Sequence, residues 1–237
     1  MFAIGKLSDA YGLQVSLFSF MTATALSGIL ALLLPNEAAG FRVSLRANLK
    51  VLLRLPRYGV FLLASFLIFG PMLSNNYYFG MLMKDAGGSL TGLGIAFLIA
   101  AGSEIPFMRW SEHFVVRWGL LSVLIACSAV AGVRWLLYGF EVPLAVIYAT
   151  SLLQGFGIGL FIPAALRYVY LISPEGVRAT AVSLYSMAGN GLGNWICTLV
   201  GGALLNRYTI HAAYVSFAVS TALGIVLLLL LVRMERR

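Results

Sequence analysis

Two charged side chains, Glu104 and Arg134, stand well within long apolar stretches of this sequence. A charge at the centre of a bilayer-spanning helix costs at least about 2.5–3.5 kcal/mol to insert, so such a residue points to function by default. Glu104 is the carboxyl of the pair. It could carry a proton or accept hydrogen bonds from the hydroxyls of a solute. Amides and phenols occur nearby in the chain: Asn75, Asn76, Tyr77 and Tyr78 in one cluster, Gln154 alone, and Tyr185, Asn190 and Asn194 along another stretch. An amide in hydrocarbon must find a partner, so these groups are expected to face the protein interior. Together they suggest a polar cavity, with Trp135 and Trp195 as stacking surfaces. The chemistry of an enzyme is missing: there is no HExxH, Walker A, GxSxG or paired-carboxylate motif. His113 and His211 are far apart, and Cys127 and Cys197 form no CxxC pair. No metal, cofactor or catalytic nucleophile is expected.

Elements that could hold these groups follow from composition. Of 237 residues, 61% are hydrophobic and only 10% charged, with a mean hydropathy of +0.94. A soluble domain carries about 45–50% apolar and about 25% charged residues, and a water-soluble fold of this size cannot hide so much apolar surface. A soluble enzyme, a DNA-binding domain and a disordered chain are excluded. A membrane span needs about 20 apolar residues. Seven runs qualify: A at 13–34, B at 57–83, C at 91–113, D at 119–140, E at 143–166, F at 179–204 and G at 211–232. They are continuous rather than alternating, which predicts helices and not a barrel. Pro71 predicts a kink in run B. Glycine pairs at G-x-x-x-G spacing, in Gly155–Gly159 of run E and Gly189–Gly193 of run F, predict close helix packing.

Charge then orients the runs. Connections on alternate sides carry twelve and three Lys or Arg residues, with Arg134 inside run D. The richer side includes Arg42, Arg46, Lys50, Arg54, Arg57, Arg117, Arg178 and Arg233. By the positive-inside rule it is cytoplasmic, which puts the C-terminus inside and the N-terminus of this chain outside. The net charge of +8 is thereby assigned to the membrane and not to nucleic acid. Segment 36–56, with basic residues at i, i+4 spacing, reads as an amphipathic helix on an anionic leaflet or as a solvated linker. Counted from the inner ends of their runs, Glu104 and Arg134 differ in depth by about 9 Å. A long arginine side chain can cover much of that, so the two are expected to face one cavity and to touch directly or through water.

Runs B–D and E–G read as two three-helix units. Arg117 follows run C and Arg207 follows run F, on opposite sides of the membrane, and the same step back from each reaches Glu104 and Asn194. That is the pattern of an inverted repeat.

These residues resemble the C-terminal half of a major facilitator superfamily transporter. Within that superfamily the chain is similar to the proton symporters that include lactose permease, the nucleoside–proton symporters and the phenylpropionate permease. Glu104 matches the carboxylate of the eighth helix and Arg134 the arginine of the ninth. Leu153-Gln154-Gly155-Phe156 and Ala165-Leu166-Arg167-Tyr168 resemble the tenth, and Asn206 to Tyr214 the approach to the last. Gly5 to Gly12 resembles the superfamily's loop motif, with Ala10 in place of its arginine. The resemblance implies an all-α membrane protein of seven spans: residues 1–35 as outer loop and sixth-type helix, 36–56 as central cytoplasmic loop, and 57–237 as a six-helix bundle. It implies a secondary transporter, not an enzyme, in a bacterial inner membrane. Such a protein takes up a sugar, nucleoside or similar polar solute with protons, and its partners are the lipid bilayer and a missing N-terminal half. Gln154 stands where the family often has His, and Gly157 where lactose permease has Glu. Proton coupling through run E therefore loses its usual residues. An efflux antiporter is the alternative within transport, and a seven-helix receptor or a channel lies outside it.

Overall fold

The computed structural model describes residues 14–32 and 45–236. Gly5 to Gly12 and Arg42 lie outside the described residues. Those that are described form helices and short turns, with no strand among them. The helices are α1 (Gln14–Leu32), α2 (Leu45–Leu53), α3 (Pro56–Asp85), α4 (Leu90–Trp118), α5 (Leu120–Tyr138), α6 (Leu144–Ile172), α7 (Arg178–Ser186), α8 (Asn194–Arg207) and α9 (Ile210–Glu235). A π-helical segment, Met187–Gly193, joins α7 to α8 without a break.

Local signals set these boundaries. Pro56 opens α3, where a missing N–H costs nothing. Ser89 caps α4, its hydroxyl oxygen accepting from the Gly92 N–H at 3.0 Å. Gly119, at φ 82°, ends α4 and starts α5, a conformation that β-carbon-bearing residues resist.

Five helices, α3, α4, α5, α6 and α9, are long and apolar enough to cross a membrane. The chain is thus a multi-pass membrane protein. Runs A and F do not meet that measure as single α-helices. In run F the Gly-rich stretch Met187–Gly193 shifts to π geometry and divides the helix. In run A the apolar stretch is Leu17–Leu30. Seven runs thus become five clear spans among the described residues, with a sixth helical stretch of mixed type from Arg178 to Arg207.

The connections alternate between two ends of the bundle. At one end the Arg57 guanidinium donates to the Met234 carbonyl at 3.1 Å and the Tyr168 hydroxyl to Glu235 at 2.9 Å. At the other, His211 meets the Asp85 carboxylate at 3.1 Å and the Tyr138 carbonyl at 2.8 Å. Arg57, Arg117, Arg178 and Arg233 lie at the first end; Lys84 and Arg207 lie at the second. Replacing His211 by Ala removes the ties from α9 to both α3 and α5. Hydrogen bonds to charged groups contribute about 1.5–3 kcal/mol, here reduced by the exposure of Asp85, so a loss of about 1–2 kcal/mol is expected in equilibrium unfolding.

Packing pairs the helices across the two three-helix units. α4 packs on α6, α3 on the π segment and α8, and α5 on α9; α5 also packs on α6, and α3 on α9. Two of these crossings are alike. A Cβ at Gly155 of α6 would collide with Ser103 and the Glu104 amide of α4. A Cβ at Gly70 of α3 would lie 2.7 Å from the carbonyl carbon of Gly193, just before α8. The offset that aligns Arg117 with Arg207 also aligns Ser103–Glu104 with Gly193–Asn194. Both G-x-x-x-G motifs thus mark backbone-on-backbone contacts, as expected.

Two elements stand at the edge. On α1, Leu17, Phe18, Phe20, Met21, Leu26, Ile29 and Leu30 are all more than half exposed. α2 lies within the segment read as an amphipathic helix or a linker. Its Leu52 is fully buried, and Asn48 donates to the Thr180 hydroxyl at 3.0 Å. It is thus a helix docked on the bundle.

Candidate functional site

Glu104 lies midway between Leu90 and Trp118 on α4, about 21 Å along the helix from either end at 1.5 Å per residue. Arg134 lies as many residues from the Leu120 end of α5 as Glu104 does from Trp118. The two are thus at similar depth, not about 9 Å apart. The difference arises because α4 continues past run C through Phe114–Trp118. Of the direct or water-mediated contact expected between them, the direct form is absent: among the described residues no ion pair or hydrogen bond reaches the Glu104 carboxylate. The reason is that α6 stands between them. Its Gly155 and Gly159 meet the backbone of Ser103 and Glu104 and the Cβ of Phe107, while the adjacent Gln154 turns toward α5. Glu104 is left half-buried.

Arg134 is enclosed, with 2% exposure. Its guanidinium donates to Gln154 Oε1 and to the Tyr138 hydroxyl, both at 3.3 Å. It also lies 5.3 Å from the Trp135 ring centre and 5.5 Å from that of Tyr138, close enough for cation–π attraction. Tyr138 and Thr150 share a 2.7 Å hydrogen bond. Neutral oxygens and aromatic faces, rather than a carboxylate, therefore hold this cation. Arg134 Nε and Trp135 Nε1 find no partner among the described residues. They border a cavity of about 10 Å³ that also touches Gln154 and Gly157, room for about one water molecule. Trp135, at 1% exposure, packs against Tyr214 and Phe217 and so offers no stacking surface to a solute.

The amides divide by face. Asn75 is buried and its Oδ1 accepts from the Tyr214 hydroxyl at 3.0 Å. Asn194 Oδ1 accepts from Ser74 at 3.2 Å and from Thr198 at 3.4 Å, which ties α3 to α8. These two act as glue between helices. Asn76 and Asn190 are exposed, as are Tyr77 at 60% and Trp195 at 61%. That corrects the expectation that every amide faces the interior of this chain. Successive helix positions are turned about 100° apart, so Asn75 facing inward sends Asn76 out. Tyr185 is buried against Phe61.

Three partners escaped sequence reasoning: Tyr138, Thr150 and Tyr214. Tyr138 stands at i+4 from Arg134 and Thr150 at i−4 from Gln154, spacing that places each pair on one helix face. Cavities of about 540 and 430 Å³ lie at the bundle ends around Tyr168–Glu235 and Asp85–Glu141–His211. The central polar groups instead border an open face.

Long apolar helices that carry a half-buried carboxyl and a buried guanidinium at mid-depth define a multi-pass membrane protein. The chain matches the family model described as MFS_1 like family over residues 2–216, and it belongs to that family of the major facilitator superfamily. It is 44% identical to a maltose permease of Geobacillus stearothermophilus over 99% of this chain and 60% of that protein. It is 38% identical to the uncharacterized transporter YwbF of Bacillus subtilis over 100% of this chain and 59% of the relative. A putative nucleoside transporter, YegT of Escherichia coli, is 27% identical over 78% of the chain and 45% of its own length. The chain thus spans about 60% of the length of the first two relatives. No solved structure matches it.

Proposed function

We propose that this chain is the C-terminal part of a secondary transporter that takes up a sugar, nucleoside or similar small polar solute by alternating access, coupled to protons. One observation carries the reading. Glu104 is a half-buried carboxyl at mid-helix with no partner among the described residues, in a molecule where Asn76, Tyr77 and Asn190 also stand exposed at positions that lipid would disfavour. A polar solute between this bundle and a second, N-terminal half supplies what those groups lack. The names of two relatives, maltose permease and putative nucleoside transporter, support the solute class.

Residues 1–35 then belong with the N-terminal half, 36–56 form the central cytoplasmic loop and 57–237 the six-helix bundle. The exposed apolar length of α1 fits that assignment. The exchange of partners between the units, α4 with α6 and α3 with α8, supports a 3+3 inverted repeat. The end rich in arginine is cytoplasmic, in a bacterial inner membrane, with lipid around the bundle.

Glu104 is the proton or hydroxyl acceptor, and Arg134 a fixed positive charge behind α6. A buried cation without a counter-charge works against stability. Arg134→Met in the intact transporter is therefore expected to leave thermal stability unchanged or raised, while saturable uptake of radiolabelled solute falls at least tenfold. Loss of stability and uptake together would mean that Arg134 merely locks helices.

A further inference from the structure

Pro71 lies inside α3. It has no N–H, so the Leu67 carbonyl loses its helical donor. The Ser220 hydroxyl of α9 donates to that carbonyl at 2.8 Å. A serine within a helix more often bonds its own chain one turn back, as Ser216 does with Ala213 at 2.7 Å. Pro106 and Pro163 stand inside α4 and α6 and free the carbonyls of Gly102 and Gly159 in the same way. No side chain among the described residues donates to either. The Cys197 thiol is the other polar neighbour of Ser220.

We infer that Ser220 is a positioning residue, which fixes the direction of the outer half of α3 by supplying the hydrogen bond that Pro71 removes. The inner half of α3 is already pinned, since Gly70 and Gly193 meet backbone to backbone. Beyond Pro71 come Ser74, Asn75, Asn76, Tyr77 and Tyr78. α9 holds α3 at three points: Ser220 on Leu67 before the proline, and Tyr214 on Asn75 and His211 on Asp85 after it. The direction of the helix between these ties decides where the exposed Asn76 and Tyr77 stand. The consequence for solute binding rests on the transport reading; the consequence for the helix does not.

The test is a cycle in the intact, purified transporter: wild type, Ser220→Ala, Pro71→Ala and the double variant. An interhelical hydrogen bond in membrane proteins averages about 0.6 and reaches about 1.7 kcal/mol, or about threefold to fifteenfold in an equilibrium constant. Ser220→Ala is expected to raise the unfolding constant by that factor when residue 71 is proline. With alanine at 71 the N–H returns to Leu67, and Ser220→Ala is expected to change little. Equal losses in both backgrounds would overturn the inference. Ser220→Thr keeps the hydroxyl and is expected to restore the wild-type value. With radiolabelled maltose as probe, Ser220→Ala is expected to raise KM at least threefold with Vmax per folded molecule unchanged; a fall in Vmax alone would contradict a positioning role. If the wild type takes up neither radiolabelled maltose nor a radiolabelled nucleoside while the unfolding cycle holds, the transport reading fails and the helix tie stands.

Discussion

Glu104→Gln is expected to reduce uptake by the intact transporter at least a hundredfold while leaving its folding unchanged. Gln has nearly the same shape, and no ion pair or hydrogen bond to the Glu104 carboxylate exists among the described residues, so the fold loses nothing that holds it. What is lost is the charge and the capacity to bind and release a proton. Removing a hydrogen bond to a charged group costs about 1.5–3 kcal/mol in binding, or about tenfold to a hundredfold, and loss of proton coupling multiplies that effect under accumulation. Glu104→Asp keeps the charge but shortens the reach, and should retain exchange with a raised KM. The measurement is initial-rate uptake normalised to folded protein by size exclusion. Normal uptake by Glu104→Gln would remove this residue from the mechanism.

Gly155→Leu has the largest expected effect on the fold. Even a Cβ at this position would collide with Ser103 and the backbone of Glu104. Overpacking a flexible core typically costs about 1–3 kcal/mol, but here the obstacle is backbone, which cannot rotate aside. A cost of at least about 3 kcal/mol is expected, with α4 displaced from α6. α4 has few other partners in the bundle, so nothing else returns it to place. Thermal unfolding in detergent should show a large drop in Tm or failure to recover monodisperse protein. Gly157→Ala, two residues on with nothing within 4 Å of its Cβ, is the control and should be close to neutral.

Much of this architecture was legible in the sequence because a membrane leaves few choices. A continuous apolar run must close its own hydrogen bonds, so helix is forced. Arginine counts locate the ends, and the G-x-x-x-G pairs locate the crossings. The separation of Glu104 from Arg134 was not legible. Depth along each helix is a matter of counting, and even there α4 outran its apolar run into Phe114–Trp118. Which helix stands between two others depends on three-dimensional packing, and α6 was the one that separated them. Facing was equally hidden: Asn75 and Asn76 are alike in type, yet one bonds Tyr214 and the other is exposed. The π segment was also beyond a periodicity reading, since its glycines break neither hydropathy nor helix continuity. Ser220 was invisible because the orphan carbonyl that gives it meaning lies on another helix, far away in sequence.

The central claim is that this bundle forms one side of a proton-coupled carrier for a polar solute. It is tested most directly by reconstituting the intact transporter in proteoliposomes and following radiolabelled maltose with and without an imposed inward proton gradient. The expected result is saturable uptake that rises above equilibrium with the gradient, collapses with a protonophore, and vanishes in Glu104→Gln. Uptake that stays linear with solute concentration, or that is unchanged by the protonophore and by Glu104→Gln, would contradict it.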